Sequence, residues 1–143
     1  KNDHHHLTVY FVGEMEPEQI SQMCEDINKI NLTGISRSID ITAISFFPNE
    51  DSQVLSALVK PNSHLQDLHE ELKNIAVNIG LGSDLKAYRP HITLGRFREK
   101  NRPKYEFEML DESLKGKVNK LDVLESEFSD GKTEYSLLKS FEL

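Results

Sequence analysis

The chain opens with a run in which hydrophobic and polar residues alternate, from His6 to Val12, and Gly13 follows it. A period of two is typical of a β-strand, because successive strand side chains point to opposite faces. Further strands are predicted over five later segments, at residues 36–47, 54–59, 91–97, 120–128 and 134–142. The dipeptide Asp130-Gly131 separates the last two segments and is a strong signal for a hairpin.

Two segments have apolar residues at the spacing of a helix. The first covers residues 17–30 and begins with a proline, which suits the first helical turn. Its apolar face consists of Ile20, Met23, Ile27 and Ile30. The second covers residues 63–79, and Gly80 marks its end. Its apolar stripe consists of Leu65, Leu68, Leu72, Ile75, Ala76 and Ile79. A polar stretch over residues 111–115 also favours a helix. Helices spaced among strands in this way predict an α+β or α/β protein whose helices cover sheets.

One four-residue pattern occurs twice, as His6-Leu7-Thr8-Val9 and as His91-Ile92-Thr93-Leu94. In each predicted strand the histidine and the threonine share one face, while the two apolar residues point towards a core. If the two strands lie side by side, two imidazoles and two hydroxyls meet in one place. Imidazole titrates near neutral pH and can donate or accept a proton, so the pattern predicts acid–base chemistry on an anionic substrate.

The segment from His6 to Glu14 resembles the first signature of the two-histidine (2H) phosphoesterases, and the segment from Arg89 to Arg96 resembles the second. The similarity is greatest to the branch of RNA 2′,3′-cyclic phosphodiesterases, also called 2′-5′ RNA ligases, and it extends over the last two predicted strands. The resemblance implies an α+β fold with two pseudo-symmetric lobes, each an antiparallel sheet backed by helices. The active site would lie in the cleft between the lobes, with one signature from each.

The length of the chain, 143 residues, predicts a single domain, and we interpret residues 1–143 as one 2H phosphoesterase domain. Members of the branch carry a further strand and helix ahead of the first signature, whereas this sequence begins shortly before His6 and has no initiator methionine. We therefore expect a fragment that lacks this N-terminal strand and helix. An absent strand would leave a sheet edge open to pairing with another chain.

The resemblance also implies how the site works. A cyclic phosphodiester opens when water attacks phosphorus and the leaving sugar oxygen takes a proton. By analogy with the family, His6 donates the proton to the leaving 3′ oxygen and His91 activates the water, which leaves a 2′-phosphate. The same site would also support reverse 2′-5′ ligation, in which a 2′,3′-cyclic phosphate is joined to a 5′-hydroxyl. The hydroxyls of Thr8 and Thr93 could hold the nonbridging phosphate oxygens, so that no metal or cofactor is required.

Two further residues complete the predicted site as groups that bind the substrate. Arg96 matches an arginine that follows the second signature and would neutralise phosphate. Strict alternation places it on the face opposite His91, so it needs a bulge, for example at Gly95, or a strand end. Phe97 falls on the histidine face, where it could stack on a base or pack in the core. Tyr135 matches a tyrosine in the last strand of the family, and we assign it no role.

Charge and cysteine content narrow the choice of partner. The net charge of −7 argues against nonspecific binding of long nucleic acid. Residues 86–104 nevertheless hold seven basic residues and one acidic residue around the second signature. Such a run is often a solvated loop, but its position favours a mouth for the phosphate of an RNA end or nucleotide. The single cysteine, Cys24, predicts a reducing cytoplasm, and the lack of a long apolar stretch predicts a protein outside the membrane. The lone cysteine and the acidic surface together predict a monomer.

Alternatives remain open. His4 and His5 are compatible with the remnant of an affinity tag. His6, His91 and one more ligand could hold zinc, although the sequence contains no cysteine cluster and no His-Glu-x-x-His segment. The same fold could also bind a nucleotide or RNA end without turnover, or act on another small phosphate ester.

Overall fold

The structure of the protein is a computed structural model that describes residues 5–82, 86–98 and 108–143. Two α-helices and six β-strands form within these residues, together with a short 3₁₀ helix at Leu32–Gly34. In chain order the elements are α1 (Pro17–Asn28), β1 (Ser38–Phe46), β2 (Val54–Val59), α2 (Ser63–Asn78), β3 (His91–Arg96), β4 (Glu108–Lys117), β5 (Lys120–Ser129) and β6 (Lys132–Glu142). Both helices and five of the strands predicted from the pattern are confirmed.

Local sequence explains where the helices begin and end. Pro17 starts α1, and the side chains of Glu16 and Gln19 form a reciprocal capping box. The side chain of Asn62 caps α2 by accepting a hydrogen bond from the backbone N–H of Leu65 at 2.8 Å. After α2 the chain turns at Gly80 with a φ of 92°, which glycine adopts without strain. No helix in the described part of the chain is long and apolar enough to cross a membrane.

The strands form two antiparallel sheets. The larger sheet has the order β3-β2-β1-β4, and the smaller one is the β5–β6 hairpin. Leu65 of α2 packs with Ile39 and Val59 against one face of the larger sheet. A second core lies between the helices and the hairpin and consists of Met23, Ile27, Leu32, Leu68, Leu72, Leu121 and Phe141. Each sheet therefore has a face covered by a helix and an open face, as the predicted two-lobed α+β fold requires.

Two predicted elements are wrong. Residues 111–115 lie within β4 rather than in a helix, because pairing with β1 overrides their weak local preference. The ion pair between Lys115 and Asp40, at 2.9 Å, joins the same two strands. Residues 6–12 form no regular strand and make one antiparallel bridge, from Leu7 to Ile92. The two carbonyl groups that follow this bridge accept hydrogen bonds from side chains instead of from a neighbouring strand.

Candidate active site

The two His-x-Thr patterns lie side by side. An antiparallel bridge joins Leu7 to Ile92, and both of these side chains pack against the core under the larger sheet. Side chains one residue away along either segment therefore point to the other, open face. The side chains brought together in this way are His6, Thr8, His91 and Thr93.

The register of the bridge also gives an expected spacing for the imidazoles. If this register is continued by one residue in each direction, Thr8 lies opposite His91 and His6 lies opposite Thr93, and the two histidines are diagonal neighbours. Side chains in this relation start about 7–8 Å apart. A phosphate group fits between two imidazoles at such a separation, with one ring on either side. The arrangement can remove a proton on one side of phosphorus and supply one on the other.

His91 is held in one orientation and one tautomer. Its Nδ1 atom lies 2.8 Å from the carbonyl oxygen of Arg89. A carbonyl oxygen only accepts hydrogen bonds, so Nδ1 carries the proton and Nε2 of the neutral ring has an available lone pair. The ring also stacks on Phe47, with centroids 3.8 Å apart and planes 21° from parallel. The guanidinium of Arg89 lies over the same phenyl ring, 4.5 Å from its centroid. His91 is thus prepared to act as a base through Nε2.

His6 lies where the first motif meets the smaller sheet. Its ring makes an edge contact with Tyr135 of β6, with centroids 4.8 Å apart and planes at 76°. The His6 side chain is half-buried, while Thr8 is exposed. The contact shows that the hairpin adjoins the open face that carries the two histidines. The candidate site therefore lies between the two sheets.

The backbone of the first motif is held by hydrogen bonds from two side chains instead of by a strand ladder. The hydroxyl of Tyr88 donates to the carbonyl oxygen of Thr8 at 3.0 Å, and Nδ1 of His69 donates to that of Val9 at 2.7 Å. The rings of Tyr88 and His69 stack, 4.6 Å apart and 9° from parallel, and Tyr10 contacts His69 edge-on at 5.5 Å. Burial raises the pKa of Tyr88, which keeps its hydroxyl protonated as a donor. We refer to Tyr88, His69 and these two hydrogen bonds as the carbonyl clamp.

The carbonyl clamp was not predicted from the sequence, although the sequence contains one signal for it. His69 is buried on α2, and it follows Leu65 by four residues and precedes Leu72 by three. It therefore occupies a position in the apolar stripe of the helix. A histidine at such a position needs a hydrogen-bond partner, and the carbonyl of Val9 is that partner.

A β-bulge in β3 decides the directions of the last predicted site residues. Thr93 pairs with Ser56 and Gly95 pairs with Leu55, so Leu94 is the extra residue. Leu94 was expected to point into a core and is instead 40% exposed. Beyond the bulge the alternation is inverted, which brings Arg96 to the face of His91 and Thr93.

Phe97 is placed on the opposite face by the same bulge. Its ring contacts the buried Phe46, with centroids 6.1 Å apart and planes at 69°. The expected position of Phe97 on the histidine face is therefore wrong, and its ring packs with the core of the larger sheet. Of the two alternatives predicted for Arg96, a bulge or a strand end, the structure has a bulge, and it occurs at Leu94 rather than at Gly95.

Comparison with known proteins identifies the family of the chain. A family model described as the 2′-5′ RNA ligase superfamily matches residues 2–129. The chain belongs to this superfamily of 2H phosphoesterases. The RNA 2′,3′-cyclic phosphodiesterase of Thermotoga maritima is 31% identical over 94 residues, which make up 65% of this chain and 50% of that protein. The protein of the same name from Methanocaldococcus jannaschii is 27% identical over 93 residues. The chain spans about half the length of these curated relatives.

Solved structures share the fold of this superfamily member. Escherichia coli LigT in complex with 3′-AMP superposes with a TM-score of 0.78 at 22% identity, covering 100% of this chain and 79% of that one. A protein of Thermus thermophilus superposes with a TM-score of 0.74 at 26% identity, covering 97% and 78% of the two chains. The two-lobed α+β architecture is thus that of LigT.

Basic residues surround the second signature of this superfamily member. Where the structure describes the predicted basic run, its members are exposed: Lys86, Arg89, Arg96 and Arg98. The remaining charged residues of the run lie outside the described part of the chain, and these are Glu99, Lys100, Arg102 and Lys104. His4 also lies outside it. Over residues 5–82, 86–98 and 108–143, no three His, Cys, Asp or Glu side chains come together as a metal site.

Proposed function

We propose that this protein hydrolyses the 2′,3′-cyclic phosphate of an RNA end or nucleotide to a 2′-phosphate, without a metal ion. The observation that supports the proposal is the bridge between Leu7 and Ile92, because its register, when continued by one residue, corresponds to diagonal positions for His6 and His91 on one face. Relatives that match the chain are named RNA 2′,3′-cyclic phosphodiesterases. LigT, which has the same fold, has been crystallised with 3′-AMP, ATP and NADP+, which favours a nucleotide as substrate.

In the proposed reaction His91 is the base. Its Nδ1 proton is engaged by the Arg89 carbonyl, so Nε2 takes a proton from water as the water oxygen bonds to phosphorus. The bond between phosphorus and the 3′ oxygen breaks, and protonated His6 supplies a proton to that oxygen. With a 5′-hydroxyl in place of water, the same steps would join the cyclic phosphate to that hydroxyl through a 2′-5′ bond, with His91 again as the base and His6 as the proton donor to the 3′ oxygen. Both proton transfers are general acid–base steps, each of which contributes about 100-fold or more to a rate.

The remaining groups on the open face act on the phosphate. Negative charge grows on the nonbridging oxygens as water adds, and the hydroxyls of Thr8 and Thr93 can donate hydrogen bonds to them. Arg96, turned to this face by the bulge, adds a guanidinium that suits phosphate oxygens. Phe97 has no part in the proposed site because its ring packs against Phe46.

The test is hydrolysis of an RNA that ends in a 2′,3′-cyclic phosphate, in excess EDTA, by the wild type and by His6→Ala and His91→Ala. Chromatography against authentic 2′- and 3′-phosphate standards identifies the product. His5→Ala and His64→Ala are matched controls, because both histidines are exposed and lie outside the paired motifs. We expect a 2′-phosphate from the wild type and both controls, and a loss of about 100-fold or more in each site variant.

Other outcomes would replace the proposal. Hydrolysis that EDTA abolishes would indicate a metal enzyme. Hydrolysis to a 3′-phosphate would show that the 2′ oxygen leaves. An RNA end that is bound but not hydrolysed would indicate a binding protein with the same fold. Equal activity in His6→Ala and His5→Ala would show that the first motif does not supply the proton.

A further inference from the structure

The β5–β6 hairpin has an apolar face that neither α1 nor α2 covers. Leu121 pairs with Phe141, and both are buried in the core with α1. Past the register shift after Val123, the pairs Leu124–Leu137, Ser126–Tyr135 and Phe128–Thr133 point to the other side of the hairpin. Three apolar side chains of this side are exposed, Tyr135 to 41%, Leu137 to 58% and Phe128 to 75%, and Leu124 is half-buried.

Charge is distributed unevenly between the two faces of the hairpin. The acidic residues Glu125, Glu127 and Glu134 lie on the face that continues the helix-covered side. The open face carries the rings of Tyr135 and Phe128 instead, although both faces are exposed to solvent beyond the core. Clustered apolar side chains on an exposed surface commonly mark a binding site. Among the paired residues 124–128 and 133–137, none of those on the open face carries a carboxylate, which also suits an anionic ligand.

The apolar face is continuous with the candidate active site. The Tyr135 ring contacts the imidazole of His6 at 4.8 Å, so the face begins at the proposed proton donor. Phe128 is a diagonal neighbour of Tyr135 across the hairpin, which places the two side chains about 7–8 Å apart. In a nucleoside 2′,3′-cyclic phosphate the base is bonded to C1′, the carbon next to the one that bears the 2′ oxygen. A base attached to a phosphate held between the histidines can therefore reach this face.

We propose that the open face of the hairpin, formed by Tyr135, Leu137 and Phe128, binds the nucleobase of the substrate. This inference rests on the proposed function and extends it from a phosphate site to a nucleotide site. Aromatic rings stack on any base because every base has a π face, so the site favours nucleotides over base-free sugars with little choice among bases. Tyr135, which the sequence analysis left without a role, contacts both the catalytic histidine and the base.

The test compares the Kd values of nucleoside 2′-monophosphates and of ribose 2-phosphate by calorimetry. The variants are Tyr135→Leu, Phe128→Leu and Tyr135→Phe, with Val77→Ala as the control, an exposed apolar residue of α2. For the wild type we expect nucleotides with all four bases to bind roughly tenfold or more tightly than ribose 2-phosphate. The two leucine variants should lose most of this ratio, whereas Tyr135→Phe, which keeps the ring, and Val77→Ala should retain it.

Binding and turnover separate the two proposals. Hydrolysis of cyclic phosphates by the wild type, with equal affinity for ribose 2-phosphate and nucleotides, would overturn the base site and leave the proposed reaction intact. If the protein binds nucleotides more tightly than ribose 2-phosphate, and this preference depends on Tyr135 and Phe128, but no cyclic phosphate is hydrolysed, the base site would be supported and the proposed reaction overturned. Leucine variants that unfold at lower temperature but keep the wild-type ratio would show that the face is a packing surface, which also overturns the base site.

Discussion

Replacing Tyr88 with phenylalanine removes one hydroxyl from the carbonyl clamp and leaves the ring stacked on His69. The lost hydrogen bond to the Thr8 carbonyl contributes about 1 kcal/mol to the free energy of unfolding. In a chain of this length such a loss lowers Tm by roughly 3–5 °C. The effect on rate should be larger, because the segment that carries His6 and Thr8 has a single backbone bridge to β3. A displacement of about 1 Å at a reacting group can cost on the order of 100-fold in rate.

The assay measures Tm by circular dichroism, and kcat and KM for a nucleoside 2′,3′-cyclic phosphate at a temperature where every variant is folded. We expect kcat of Tyr88→Phe to fall by about tenfold or more, beyond what a small loss of stability explains. A second pair of variants isolates the other hydrogen bond of the carbonyl clamp. His69→Asn keeps an N–H donor near the position of Nδ1, and His69→Leu has none. The asparagine variant should retain more of the wild-type kcat.

A specific result would refute this reasoning. If Tyr88→Phe has a lower Tm and the kcat of the wild type, the carbonyl clamp contributes to folding alone. If His69→Asn and His69→Leu lost equal amounts of kcat, the hydrogen bond from His69 to the Val9 carbonyl would not be what positions the first motif. In that event the position of His6 would depend on the bridge between Leu7 and Ile92 and on the contact of His6 with Tyr135.

Three further measurements probe the open face and the carbonyl clamp. Thr8→Val and Thr93→Val keep the side-chain shape without the hydroxyl, and steady-state kinetics should show kcat/KM lowered by about tenfold in each; unchanged values would remove the threonines from the mechanism. Arg96→Gln should raise KM by about tenfold, while Lys29→Gln at the end of α1 should not; equal KM values would show that the bulge does not bring Arg96 to the phosphate. Because burial raises the pKa of Tyr88 above its usual 10.0, the folded protein keeps a proton that the unfolded chain releases. The stability this provides is present below about pH 10 and declines above it. Urea unfolding from pH 9 to pH 11 should show a smaller decline in Tyr88→Phe.

Helix α2 illustrates how far the pattern of the sequence predicts the structure. The apolar stripe located the helix at residues 63–79, and the structure has it at Ser63–Asn78. The pattern put His69 at a position of the stripe but could not identify its hydrogen-bond partner, because that partner is a carbonyl group distant in sequence. The strand β4 was missed for a related reason. The polar segment at residues 111–115 has no periodic pattern of apolar residues, and it is extended because β4 pairs with β1.

The first motif and the bulge show why the geometry of the site needs the structure. Alternation predicts which side chains share a face only while a strand ladder is unbroken. In β3 the register of the ladder shifts at Leu94. This shift is defined by the pairing of β3 with β2, and the residues of β3 alone do not encode that pairing. Extrapolation through Leu94 sends Phe97 to the histidine face and Arg96 away from it, and the bulge reverses both. The rule of strict alternation thus fails beside the residues proposed to bind phosphate. There the bulge redirects the side chain of Arg96 and adds its positive charge to the open face.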